Sequence, residues 1–197
     1  MNKKKLISEM KKCVQGPIPS GIDDENIEFF AKGELVYAIM NQEIIPSYEW
    51  PEWLFEIIEK DMEANPAAVE SLVTLGLDGR REMIDQYIRC RYGSLDNDPD
   101  LVAGVMQDTE YVSCHLRGSC PFEGKLCELF KAPYGTITQR EIQVLRLIPE
   151  GLLDKEIADQ LGISPLTVEV YMKSLRAKTG CKNKAELVRF AFNHNLL

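Results

Sequence analysis

Three of the six cysteines fall within fourteen residues, Cys114-His-Leu-Arg-Gly-Ser-Cys120-Pro-Phe-Glu-Gly-Lys-Leu-Cys127, where even scatter over 197 residues would place fewer than one. Cys90 lies upstream at the end of an amphipathic stretch. Four thiolates can therefore converge if Gly118, Pro121 and Gly124 turn their loops around one centre. Four sulfurs suit a tetrahedral zinc ion or, alternatively, an iron–sulfur cluster. The candidate metal ligands are Cys90, Cys114, Cys120 and Cys127, and Arg89, Arg91, Arg117 and Lys125 would offset their negative charge. Structural zinc sites usually pair ligands about 2–4 residues apart. Here the gaps are five and six residues, with twenty-three between Cys90 and Cys114. Buried reduced thiols or a redox-active pair therefore stand as alternatives. His115 adjoins Cys114, an awkward position for joint ligation, and Cys13 and Cys181 stand alone as ordinary small residues.

The elements that would hold these residues read as helices. Asp23 or Asp24 is placed to cap a helix through Ile27, Phe30, Leu35 and Ile39, weakened at Gly33. Pro51 opens a second with Trp53, Leu54, Ile57 and Ile58 on one face. Pro66 opens a third with Val69, Leu72 and Val73, and Met83, Ile84, Tyr87 and Ile88 stripe a fourth. No alternating run is long enough to suggest a sheet. Lys131-Ala-Pro-Tyr-Gly135 reads as a linker. After it, Thr138-Gln-Arg-Glu141 is a capping box opening a helix with Ile142, Leu145 and Ile148. A second helix starts near Asp154 and stops at Gly162. Ser164 caps a third with Pro165 at its first position, and Asn183 caps a fourth. Two helices joined by a short glycine-containing turn make a helix-turn-helix.

The quoted residues of this segment resemble the LuxR-type helix-turn-helix domain. The shared pattern is Ile137-Thr-Gln-Arg-Glu141, Glu150-Gly-Leu152, Lys155-Glu-Ile-Ala158, Leu161-Gly-Ile-Ser164, Thr167-Val168 and Lys178-Thr-Gly180, within residues 136–193. The resemblance implies a four-helix DNA-binding module of a transcription regulator, its third helix (about 164–178) in the major groove and its fourth (about 184–193) pairing subunits as a homodimer. Helical geometry adds detail: Val168, Tyr171, Met172 and Leu175 share the core side, and Leu166, Glu169, Val170, Lys173, Arg176 and Ala177 the other. Lys173 and Arg176 can donate to guanine or phosphate, and Val170 can touch a thymine methyl. Lys155, Thr167 and Lys178 are placed for phosphates, with Lys182 and Lys184 nearby. Glu169 stands where the family commonly has a basic residue, and Tyr171 where it commonly has His. A carboxylate at 169 would accept from a cytosine amino group while weakening general affinity. Pro149 is expected to disturb the end of the first helix of the module.

The expected fold class is thus all-α: an acidic helical domain over 1–130 carrying the cysteine-rich loop 114–127, a linker 131–135, and the helix-turn-helix domain 136–197. Net charge is −8 overall. It divides into 14 Lys/Arg against 24 Asp/Glu up to Pro133 and 9 against 7 thereafter, so the acidity belongs to the N-terminal part. With so little positive charge one copy should bind DNA weakly, which favours dimers on paired half-sites. The acidic part should repel DNA, staying clear of the duplex or masking the basic module; residues 134–197 alone would then bind more tightly than the whole chain.

Composition, 45% hydrophobic and 27% charged, is that of a globular protein. The start Met-Asn-Lys-Lys-Lys leads into no apolar signal segment, and apolar runs are far shorter than the ~18–20 residues of a membrane span, so a cytoplasmic location with no membrane partner is expected. Residues 1–130 do not supply the strand-helix order of a receiver domain, and the acidic Asp23-Asp24-Glu25 precedes a helix-like stretch and follows no convincing strand. His115 and His194 are the only histidines, and no nucleophile or phosphate-loop motif is present, so an enzyme is not expected. The rival readings are a protein-interaction adaptor whose helix-turn-helix has lost specific DNA binding, and a metal- or redox-sensing regulator.

Overall fold

A computed structural model describes residues 26–194 with Leu196 and Leu197. Cys13 and the expected cap at Asp23 or Asp24 lie outside the described residues. The chain divides into two compact units, one reaching Val112 and including Lys125–Glu128, the other formed by Ser113–Gly124 with Leu129–Leu197. Among the described residues no helix is long and apolar enough to cross a membrane.

The chain is not all-α, because three small antiparallel sheets accompany its helices. The stretch expected to form one helix from Ile27 to Ile39 is instead a meander of β1 (Glu28–Lys32), β2 (Leu35–Met40) and β3 (Glu43–Pro46). Gly33, with φ +60°, belongs to the two-residue turn that closes β1 on β2, pairing Lys32 with Leu35. Asn41 and Gln42 both adopt left-handed backbone angles, φ 50° and 63°, as the tight hairpin turn between β2 and β3 requires. Alternation is missing because this sheet is buried on both faces: Phe29, Val36, Ala38 and Ile39 are fully enclosed, and Phe30 packs with Ile39, Ile44 and Tyr37.

The next three helices form where their prolines and apolar stripes predict: α1 (Glu52–Ala64), α2 (Pro66–Thr74) and α3 (Arg80–Arg91). The buried face of α2 is Ala68, Ser71 and Leu72, whereas Val73, expected on it, is exposed. The buried face of α1 is Leu54, Phe55, Ile58 and Met62, whereas Trp53, expected on it, is 44% exposed. Trp50 takes the aromatic core position instead, 5.3 Å from Phe29 and 5.9 Å from Phe55 between ring centres, with its indole N–H donating to the Ile45 carbonyl. The Tyr87 and Tyr92 hydroxyls both donate to Asp61, linking α3 to α1.

A short hairpin, β4 (Leu101–Val102) with β5 (Val105–Met106), follows, and Ile27 bridges to Leu101. The junction of β1 with this hairpin is acidic inside. Glu28 and Asp100 are buried and Glu110 is half-buried. Each accepts one backbone N–H: Glu28 Oε1 from Asp96 at 2.9 Å, Asp100 Oδ2 from Phe29 at 2.7 Å and Glu110 Oε1 from Ser94 at 2.7 Å. Glu28 Oε2 has no hydrogen-bond partner among the described residues. Burial first, and then mutual repulsion together with that of Asp96, pushes Glu28 and Glu110 up to about 8 and Asp100 up to about 9.

In the second unit a minimal hairpin, β6 (Lys131–Ala132) with β7 (Gly135–Thr136), occupies the expected linker. Four helices follow: α4 (Gln139–Leu147), α5 (Asp154–Leu161), α6 (Pro165–Thr179) and α7 (Lys184–Asn193). Pro149 ends α4 by opening a 3-10 turn, Ile148–Glu150. The core between these helices is largely apolar, with Ile142, Leu145, Ile157, Ala158, Val168, Leu175, Leu187 and Ala191 all buried, and Glu141 is a buried carboxylate beside it.

Candidate nucleic-acid interface

Local chemistry fixes the start and stop of each helix that presents the interface. Thr138 Oγ1 accepts from the Glu141 N–H while Glu141 Oε2 accepts from the Thr138 N–H at 2.7 Å, completing the capping box of α4. Gly162, with φ +63°, ends α5, and the Ile163 N–H returns to the Ala158 carbonyl. Ser164 Oγ then accepts from the Thr167 N–H at 3.0 Å, starting α6 with Pro165 in its first turn. Ala158 and Val168 are both fully buried; the small Ala158 lets α5 and α6 approach closely.

The face of α6 turned away from this core carries Leu166, Glu169, Val170, Lys173 and Ala177, all exposed, with Leu166 and Val170 exposed by 69% and 58%. Val168, Met172 and Leu175 are buried on the other side, while Tyr171 is half-buried. Lys155 is exposed in the first turn of α5. Thr167 is half-buried, its hydroxyl paired with that of Ser164. Arg176 is half-buried, and its Nε–H donates to the Met172 carbonyl of its own helix at 3.2 Å.

Lys178 stands apart from the other cations, because its ammonium donates to both oxygens of Glu141, at 2.7 and 2.9 Å, and is mostly enclosed. Ser174 Oγ also donates to Glu141, at 2.6 Å. Burial by itself would raise this carboxyl, but the bonds from Lys178, Ser174 and Thr138 outweigh it and hold Glu141 below the usual carboxylate range. Glu141 is thus both a cap and the buried counter-ion that joins α4 to α6. The capping role is legible in the sequence, and the ion pair, separated by 37 residues, is not.

The four cysteines proposed as ligands are half-buried. Cys90, on α3, and Cys127 belong to the first unit, whereas Cys114 and Cys120 belong to the second. Among the described residues no three His, Cys, Asp or Glu side chains gather as a group able to hold a metal ion. Polar contacts with α4 hold the segment from Ser113 to Gly124 in the second unit. Arg146 donates to the carbonyls of Cys114 and Arg117, at 3.0 and 2.8 Å, and to that of Leu196. Gln139 donates to the Cys120 carbonyl at 2.8 Å and Gln143 to that of Gly118. Within the loop, the Gly118 N–H donates to Glu123 at 2.7 Å. Sequence reading missed Arg146, since a basic residue late in a helix is an ordinary surface feature.

Comparison with known proteins agrees with this architecture in its C-terminal part alone. The model of the bacterial regulatory proteins of the luxR family matches residues 135–191, and the N-terminal region is recognised by no family model. The response regulator Rre1 of Synechocystis sp. is 51% identical over 59 residues, 30% of this chain and 26% of that protein. The probable transcriptional regulator ycf29 of Cyanophora paradoxa is 50% identical over 60 residues, 30% of this chain and 29% of that protein. The oxygen regulatory protein NreC of Staphylococcus aureus is 40% identical over 65 residues, 33% of this chain and 30% of that protein. The chain therefore spans less than a third of the length of these relatives. No solved structure matches it. The matched segment contains the capped helices and the glycine turn between α5 and α6, and residues 135–191 are identified as a luxR-family helix-turn-helix domain.

Proposed function

We propose that the protein is a DNA-binding transcription regulator that sets α6 in the major groove. The observation that carries the reading is the outward face of α6, where Glu169, Val170 and Lys173 stand exposed along one side of a helix whose other side is core. Lys173 is placed to donate to guanine, Val170 to meet a thymine methyl and Glu169 to accept from a cytosine amino group. Lys155 and Thr167 are placed at the phosphates, and Arg176 reaches them if it leaves its bond to Met172. Lys178 serves the Glu141 pair first, so its share in DNA contact is secondary. Dimerisation through α7 belongs to the same reading. Phe192 is 73% exposed on that helix, and paired copies would compensate for the low positive charge of one domain.

Lys173→Ala is expected to lower affinity for a duplex selected from a random pool by about 10- to 100-fold and to erase preference over random DNA. Arg176→Ala should weaken both duplexes and make binding less sensitive to salt. Gel shifts with the full chain read both effects. Unchanged preference in Lys173→Ala would remove α6 from the groove.

A further inference from the structure

This inference rests on the DNA-binding reading and concerns a residue just outside the family-matched segment. The β6–β7 hairpin turns through Pro133 and Tyr134, and Tyr134 is 74% exposed. Its backbone is nevertheless anchored, and its ring lies beside Gly180. The Tyr134 N–H donates to the Lys178 carbonyl at 2.9 Å, and its ring lies so near Gly180 that a Cβ there would meet Tyr134 Cε2 at 2.9 Å. Gly180 is also left-handed, φ +76°, as the cap of α6. The left-handed backbone is the demand that selects glycine here, and its bare Cα leaves room for the ring.

Gly180 follows Lys173 by seven residues and so stands on the same side of α6. At ~1.5 Å per residue it lies about 10 Å farther along the axis. A helix-turn-helix reads bases mainly with the N-terminal part of its second helix, in a groove ~12 Å wide, so the far end of that helix comes to the groove's rim, where the phosphates are. Lys182, two residues past Gly180, is exposed and adds positive charge at this end. An exposed phenol resting beside a glycine is a neutral donor, of the kind that fixes register on a sugar-phosphate backbone.

We propose that Tyr134 is a phosphate clamp: its ring rests on Gly180 at the end of α6, and its hydroxyl donates to a backbone phosphate at the rim of the major groove beside Lys182. The hairpin before the first helix thereby becomes part of the DNA-binding surface.

Tyr134→Phe keeps the ring and removes only the hydroxyl. Fluorescence anisotropy of the full chain, on its selected duplex and on a random duplex at several salt concentrations, is expected to show a loss of about 3- to 10-fold on both. The salt slope should stay unchanged, since a hydroxyl displaces no counterion, whereas Lys182→Ala should make it shallower by about 0.9. Affinity equal to that of the unsubstituted chain on both duplexes would overturn the clamp. A loss confined to the selected duplex would overturn it too, by making Tyr134 a base-reading residue. If the unsubstituted chain shows no salt-dependent duplex binding, the DNA-binding reading itself fails, which is a different result from a silent Tyr134→Phe.

Discussion

Replacing Glu141 with alanine is expected to destabilise the C-terminal unit by about 3–4 kcal/mol, enough to abolish DNA binding through loss of the fold. Four groups depend on that carboxylate: the Lys178 ammonium, the Ser174 hydroxyl, and the N–H and hydroxyl of Thr138. Removing it strips the capping box from α4, frees the α6 side of the pair and leaves a polar cavity. The cost sits toward the low end for a broken buried pair, because Lys178 is partly exposed and can turn to water. Lys178→Met leaves the carboxylate to its hydroxyl and N–H donors and should cost less, about 2 kcal/mol. Both tryptophans, Trp50 and Trp53, lie in the N-terminal unit, so the loss should appear in the far-ultraviolet circular dichroism melt while the tryptophan fluorescence melt stays in place. A Glu141→Ala protein with an unchanged dichroism melt would show that the pair contributes no net stability.

The same pair sets the acid side of the pH profile. Glu141 is held below its ordinary value in the folded state, so its contribution is complete above the unfolded carboxyl value of 4.5 and is lost as pH falls through the lower folded value. The C-terminal unit should therefore lose stability in acid.

The helix-turn-helix was legible because its instructions are local. Thr138 and Glu141 are three residues apart, Ser164 and Thr167 three apart, and each glycine stop directly follows its helix. The face of α6 could be drawn from helical angles, although Tyr171 is only half-buried and Arg176 bonds back to its own helix. The β1–β3 sheet was not legible, since strands enclosed on both faces lose the period of two and read like a helix core, and Asn41-Gln42 is a weaker hairpin signal than Asn-Gly. The cysteine-rich segment shows the other limit. Its crowded thiols suggested a metal centre, while its observed anchors are backbone carbonyls meeting Gln139, Gln143 and Arg146. A carbonyl acceptor carries no residue identity, so no sequence pattern announces it.

Raising the pH from 5 to 9 is expected to destabilise the N-terminal unit, the reverse of the acid lability expected for its neighbour. Glu28 and Glu110 titrate near 8 and Asp100 near 9, far above the ordinary carboxyl values of 4.5 and 3.8. Between those limits the folded state keeps protons that the unfolded chain has released. Stability is thus complete below about pH 4 and drains away as pH rises through the folded values, at up to about 1.4 kcal/mol per group per pH unit. The groups acting on these carboxyls are chiefly one another with Asp96 and Asp98, so ionising one makes the next harder to ionise. A fall of about 10 °C or more in the tryptophan fluorescence melt between pH 5 and 9 is the expected result. Asp100→Asn separates charge from shape, since the amide oxygen can still accept from the Phe29 N–H but cannot ionise. It should raise the melt by several degrees at pH 8.5, change it little at pH 5, and flatten the profile between them. If Asp100→Asn instead destabilises equally at both pH values, the carboxyl is ionised throughout and its charge, rather than its proton, holds β1 to the hairpin.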